Sequence, residues 1–181
     1  MKLRYTRLQV RSIFNSCNTR HRFTMTPAIT ALQRLKIPFK IHEYQHDPTS
    51  QSYGLEAAEK LALDPARVFK TLIAQLDDRE LVVAILPVNA SLNMKLLAQA
   101  AKAKKAAMAE KSLAEKSTGY VLGGISPFGQ KKSLRTFLHE SGLIASTLFV
   151  SAGRRGLEIE LTASHLLAAT RGTSCSLCRE A

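Results

Sequence analysis

The residues whose types and spacing suit chemistry fall in three segments. The first is Val68-Phe69-Lys70-Thr71-Leu72-Ile73, which sets a lysine at the start of a strongly apolar run. Such a lysine either points to solvent from an edge strand or reaches into a cleft beside a sheet. In a cleft, its ammonium would anchor an anion or stabilise negative charge developing on an oxygen. The second segment runs from Gly119 to Gly129 and holds four of the nine glycines plus Pro127. Adjacent Gly123 and Gly124 permit positive φ and let a ligand approach the backbone closely. Exposed amides there would hold a carboxyl oxygen or a phosphate. A purely structural turn reads equally well from the residues alone. Lys131, Lys132 and Arg135 follow directly, which suits a phosphate-bearing ligand. The third segment is Ser151-Ala152-Gly153-Arg154-Arg155-Gly156-Leu157-Glu158. It reads as a hairpin turn, with Ser151 placed to donate a hydrogen bond to a substrate. No histidine partner is evident, so Ser151 is not assigned as a nucleophile.

Other arrangements are missing from the sequence. It has no Walker loop, no GxGxxG after a strand, no GxSxG elbow and no HExxH. His42 and His46 lie where a strand runs into a loop, so they share no helical face, and no carboxylate cluster completes a metal site. Cys175 and Cys178 have redox or zinc-pair spacing but follow the last predicted helix, with no second cysteine pair nearby. No cofactor and no metal are expected.

The elements that must position these segments can be read from periodicity. Thr26-Pro27 is an N-cap followed by proline at the first helical position. Ile29, Leu32 and Leu35 recur at helical spacing, and Pro38 ends that helix. Phe39 to Tyr44 reads as a strand and Leu55 to Leu61 as a short helix, and Asp64-Pro65 opens another helical turn. The runs Phe69 to Leu76 and Leu81 to Val88, joined by Asp77-Asp78-Arg79, predict a hairpin. Helices are expected over 91–101 and 112–116, with strands over 104–108, 135–139, 147–151 and 157–161. Thr162 caps a final helix ending near Ala169. Strands and helices intermix, so the expected class is α+β: one domain with a mixed sheet or partly closed barrel and surrounding helices.

Length fits a single domain with a proper core, and the longest apolar stretch, Leu81 to Leu86, is too short to cross a bilayer. The net charge of +12 is uneven: half of it lies in residues 1–24, which hold six basic residues and no acid. These residues are expected to be a non-native or disordered basic extension, with the folded domain itself over 25–181 and Met25 as its natural start. A transit peptide or an RNA-binding arm has the same composition. The remaining basic excess favours a polyanion such as RNA. Only three cysteines are present, which suits a reducing, cytoplasmic setting.

Taken in order, several motifs form a set: Met25-Thr26-Pro27-Ala28, His46-Asp47-Pro48, Val68-Phe69-Lys70-Thr71-Leu72, Ser117 through Gly124 to Lys132, and Val150-Ser151 through Glu158 to Leu161. The set resembles the YbaK-type Cys-tRNA(Pro) deacylases, in the superfamily of the prolyl-tRNA synthetase editing domain, over about residues 25–169. The resemblance implies an enzyme that clears Cys-tRNA(Pro) and Cys-tRNA(Cys), acting on aminoacyl-tRNA beside prolyl-tRNA synthetase. It implies that the substrate's own thiol attacks the ester, giving a cyclic thiolactone. By position, Lys70 matches the essential lysine, and Tyr44, Gly123, Gly124, Ser151, Gly153 and Glu158 match the pocket. Glu158 stands where close relatives often carry Asp, and Ala152 where they often carry Gly. Those departures bear on substrate preference, and leave open another substrate such as Ala-tRNA(Pro) or a tRNA-binding module without turnover.

Overall fold

The computed structural model describes residues 25–50 and 52–178. The expected basic extension, residues 1–24, lies outside them. The chain runs α1 (Pro27–Arg34), β1 (Lys40–Glu43), α2 (Tyr53–Lys60), β2 (Val68–Leu76), β3 (Glu80–Pro87), α3 (Met94–Ala101), β4 (Ala106–Met108), α4 (Lys111–Thr118), β5 (Arg135–His139), β6 (Leu148–Ser151), β7 (Leu157–Leu161), α5 (Ala163–Thr170) and β8 (Thr173–Cys175). The strands form one mixed sheet in the order β1-β7-β6-β2-β3-β5-β8, with β4 also paired to β2. Because β1 and β8 stand at opposite ends of that order, the sheet is open, and the α+β class holds without barrel closure.

Local chemistry fixes the element ends. Thr26 accepts from the Ile29 amide at 3.2 Å and donates to Ala152 O at 2.5 Å, so the cap of α1 is also tied to the end of β6. The helix expected from Ser91 starts at Met94, because the Asn93 side chain takes the amides of Lys95 and Leu96. The strand expected from Lys104 is shortened to Ala106–Met108, since the Asp77 carboxylate accepts the amides of Lys104 and Lys105. Strand β8 went unread in the sequence. It pairs parallel to β5 and brings Leu177 and Cys178 into the core, so the Cys175–Cys178 stretch closes a sheet edge.

The two faces of the sheet differ. Phe69, Ile73, Val83, Ile85, Val150 and Ile159 point to one face, under α1, α5 and the Gly119–Gly129 loop. Leu76, Val82, Ala84 and Leu86 point to the other, packed with α3. On that second face α2 covers Val68 and Phe149 through Ala57 and Ala58. Alternation along the strands puts Lys70 there too, and register adds Ser151, Glu158 and His42, since Glu158 is opposite both His42 and Ser151. A polar row thus crosses four adjacent strands.

Candidate active site

The site lies in a break in strand pairing. Strand β2 pairs with β6 only at Val68–Phe149 and Phe69–Val150. It meets β4 along the same edge only from Ala74, with Ala109 N donating to Ile73 O at 3.0 Å just before. Lys70, Thr71 and Leu72 therefore have no strand partner on that side. A cavity of about 450 Å³ opens there, lined by Lys70, Thr71, Gly123, Ser151, Arg155 and Glu158 among others. Backbone direction alternates along a strand. Val68 O accepts from Val88 N on the β3 side, and Ile73 O accepts on the open side. The N–H and C=O of Thr71 consequently point into the gap. The Thr71 hydroxyl is buried without a hydrogen-bond partner. The sequence reading missed this residue.

Lys70 is half-buried, and its Nζ donates to Val88 O at 3.2 Å. Burial pulls its ammonium below the ordinary lysine range, an effect that the nearby Cys178 thiol partly offsets. Glu158 is 7% exposed, and among the described residues no hydrogen bond or ion pair reaches its carboxyl. Burial pushes that carboxyl up to about 8, so at neutral pH it is mostly protonated. In that form it donates a hydrogen bond, and only the minor ionised fraction is able to take a proton. Ser151 Oγ accepts from Gly153 N at 3.3 Å, and no histidine bonds to it. The two upstream histidines serve other carboxylates: His42 meets Glu160 at 2.9 Å and His46 meets Glu56 at 2.8 Å.

Of the residues named from sequence, Lys70, Gly123, Ser151 and Glu158 line the cavity. Tyr44, Gly124 and Gly153 stand behind it. Burial, and after it the Glu158 carboxyl, pushes the Tyr44 phenol up to about 12, which places Tyr44 beside Glu158. A side chain on Gly124 would meet the Arg154 backbone at 3.1 Å, and one on Gly153 the Tyr120 ring at 2.6 Å. Tyr120 in turn donates to Phe128 O at 2.7 Å and braces the glycine loop. Gly123 has φ +84°, and a Cβ there would lie 2.5 Å from the ring of Tyr53. Tyr53 lines the cavity from α2 and was also unread in the sequence.

The buried carboxyl gives a stability test. The folded protein holds the Glu158 proton up to about pH 8, whereas an unperturbed carboxyl loses it near 4.5. Between those limits the unfolded chain binds fewer protons, so this group lowers stability as pH rises. Urea unfolding should show Glu158→Gln gaining on the wild type by roughly 1 kcal/mol per pH unit from pH 5 to pH 8. A pH-independent difference would show that the carboxyl is ionised in the fold.

The cavity thus brings together a cation, a buried carboxyl and unpaired backbone groups, with no activated side-chain nucleophile among the described residues. Comparison with known proteins gives the class. The aminoacyl-tRNA editing domain family matches residues 48–169, and the chain belongs to that family. It is 37% identical over 147 residues to an Enterococcus faecalis protein assigned as Cys-tRNA(Pro)/Cys-tRNA(Cys) deacylase EbsC, covering 81% of this chain and 89% of that one. Two solved structures share the fold at lower identity. One, assigned as a trans-editing enzyme for prolyl-tRNA synthetase, has TM-score 0.75 and 19% identity over 85% of this chain and 96% of that one. The other, the hypothetical protein APE2540, has TM-score 0.77 and 18% identity over 85% of this chain and 100% of that one.

Proposed function

We propose that this enzyme is a trans-editing deacylase that clears Cys-tRNA(Pro) and Cys-tRNA(Cys), with the substrate's thiol as nucleophile. The observation that carries the reading is the lack of an activated protein nucleophile in a pocket otherwise equipped for an ester. Ser151 has no base, and Glu158 is protonated. The cysteine sulfur attacks its own carbonyl carbon, a C–S bond forms, and the ester C–O bond breaks. The thiol proton ends on the tRNA 3′ oxygen, and water later opens the thiolactone. The Thr71 amide, which faces the gap in strand pairing, would hold the carbonyl oxygen as it gains charge. Lys70 anchors the tRNA 3′ end and steadies the departing oxygen. Glu158, backed by Tyr44, donates to the aminoacyl group.

A pocket separates cysteine from proline or alanine by only about 1–3 kcal/mol, so a synthetase needs a second, hydrolytic site. Prolyl-tRNA synthetase is the natural companion for such a site, and the cytoplasm its setting. A panel of Cys-, Ala- and Pro-tRNA(Pro) tests the assignment. Cysteine should be released rapidly, with alanine and proline near the uncatalysed rate. Equal release of alanine would move the assignment to another aminoacyl group. Intact esters throughout would leave a binding module.

A further inference from the structure

The buried carboxyl of Glu158 has a counterpart that the chemistry above does not use. Glu56, on α2, is the other acid buried among the described residues. Burial alone would push its carboxyl up, but the Asp47 amide at 2.6 Å and His46 Nδ1 at 2.8 Å outweigh it and hold the group below the usual carboxylate range. Glu56 is therefore ionised at neutral pH. A carboxylate only accepts hydrogen bonds, so Nδ1 of His46 is the donor. Breaking such a pair leaves a charge buried without partners, which costs far more than losing a surface contact. The pair ties the loop after β1 to the first turn of α2.

Helix α2 depends on that tie. It has eight residues, too few to be stable alone, and the Ser52 side chain makes no capping hydrogen bond. Its buried apolar side chains are Ala57 and Ala58, which bring only methyl groups to Val68, Val88 and Phe149. Tyr53 stands three positions before Glu56, on the same side of the helix. Its ring centre is 5.8 Å from that of His46, and it carries the Arg155 guanidinium at 4.4 Å. We infer that His46 and Glu56 are positioning residues for the reaction: their buried pair fixes the start of α2, and with it the Tyr53 wall of the aminoacyl pocket. The inference rests on the reading of the cavity as that pocket. It assigns the size of the pocket to two residues that do not line it.

The chain has no tryptophan, so Tyr53→Trp supplies a single fluorescent reporter that keeps an aromatic face for Arg155. In that protein Glu56→Ala and His46→Ala should each shift the emission to the red and raise acrylamide quenching about twofold, as the first turn of α2 opens to water. Glu56→Gln still accepts from Asp47, and its amide donates to Nδ1 once the imidazole proton moves to Nε2, so it should keep most of the parent spectrum. His42→Ala breaks the comparable pair with Glu160 on β1 and should leave the reporter unchanged. Should Glu56→Ala not fold, His46→Ala, which leaves the Asp47 amide on Glu56, makes the same measurement. These spectra need no substrate, so they decide the inference even where no aminoacyl-tRNA is released. On Cys-tRNA(Pro), Glu56→Ala should lower kcat/KM about tenfold or more with Tyr53 present, and less than about twofold in a Tyr53→Ala background, because residues that act as a unit are not additive. The parent spectrum in folded His46→Ala and Glu56→Ala proteins, an equal shift from His42→Ala, or additive losses with Tyr53→Ala would overturn the inference.

Discussion

Lys70→Ala is expected to slow Cys-tRNA(Pro) deacylation by about 10²–10³-fold, the scale of removing one preorganised stabiliser of developing charge. The fold should survive. Among the described residues Nζ hydrogen-bonds the Val88 carbonyl alone, and burial already disfavours the ammonium, so truncation removes a group that costs free energy to bury. Lys70→Met, which keeps the length of the stem and drops the charge, should be as inactive as alanine and at least as stable. Arginine should not rescue. Its planar fork presents its donors in a different geometry. Single-turnover deacylation with a thermal melt on each variant separates the two effects. Full activity in a folded Lys70→Ala protein would remove Lys70 from the site.

Part of this site was legible in sequence because its residues break local patterns. Lys70 interrupts an apolar strand, and Gly123 sits in a glycine-bearing loop. Glu158 alternates with buried aliphatics in β7, where a solvent-facing acid would be the usual reading, so only the family resemblance points to it. Other members depend on contacts distant in sequence. Thr71 looks like any strand threonine until the pairings of β2 with β6 and β4 are known, because only their interruption frees its backbone amide and carbonyl. Tyr53 and Arg155 are 102 positions apart and meet as a stacked pair only once α2 and the β6–β7 turn converge. The short β8 offers three residues of pattern, too few to distinguish a strand from a tail. Conversely, Gly153 and Gly124 carry the glycine signal without touching the cavity. They allow close packing on Tyr120 and Arg154, which a single sequence cannot distinguish from ligand approach.

Removing the thiol from the substrate should have the second large effect. S-methylated Cys-tRNA(Pro) and Ala-tRNA(Pro) are each expected to be released at least about 10³-fold more slowly than Cys-tRNA(Pro) under saturating enzyme. The size of the loss is what discriminates. Well-oriented intramolecular attack has effective molarities of about 10⁵–10⁸ M, so losing the internal nucleophile removes far more than a contact. A pocket that merely preferred cysteine over alanine would differ by about 10–200-fold. Alanine is smaller than cysteine and meets no steric bar, so its slow release would implicate the missing sulfur, while the S-methyl substrate keeps the sulfur and blocks its attack. The state of Glu158 adds a pH signature. A carboxyl that holds its proton up to about pH 8 is ionised in only roughly a tenth of molecules at pH 7, so a water-driven route that used it as base would speed up as pH rises toward 8. Release of alanine within about 200-fold of cysteine, rising with pH in that way, would transfer the nucleophile from the substrate to solvent.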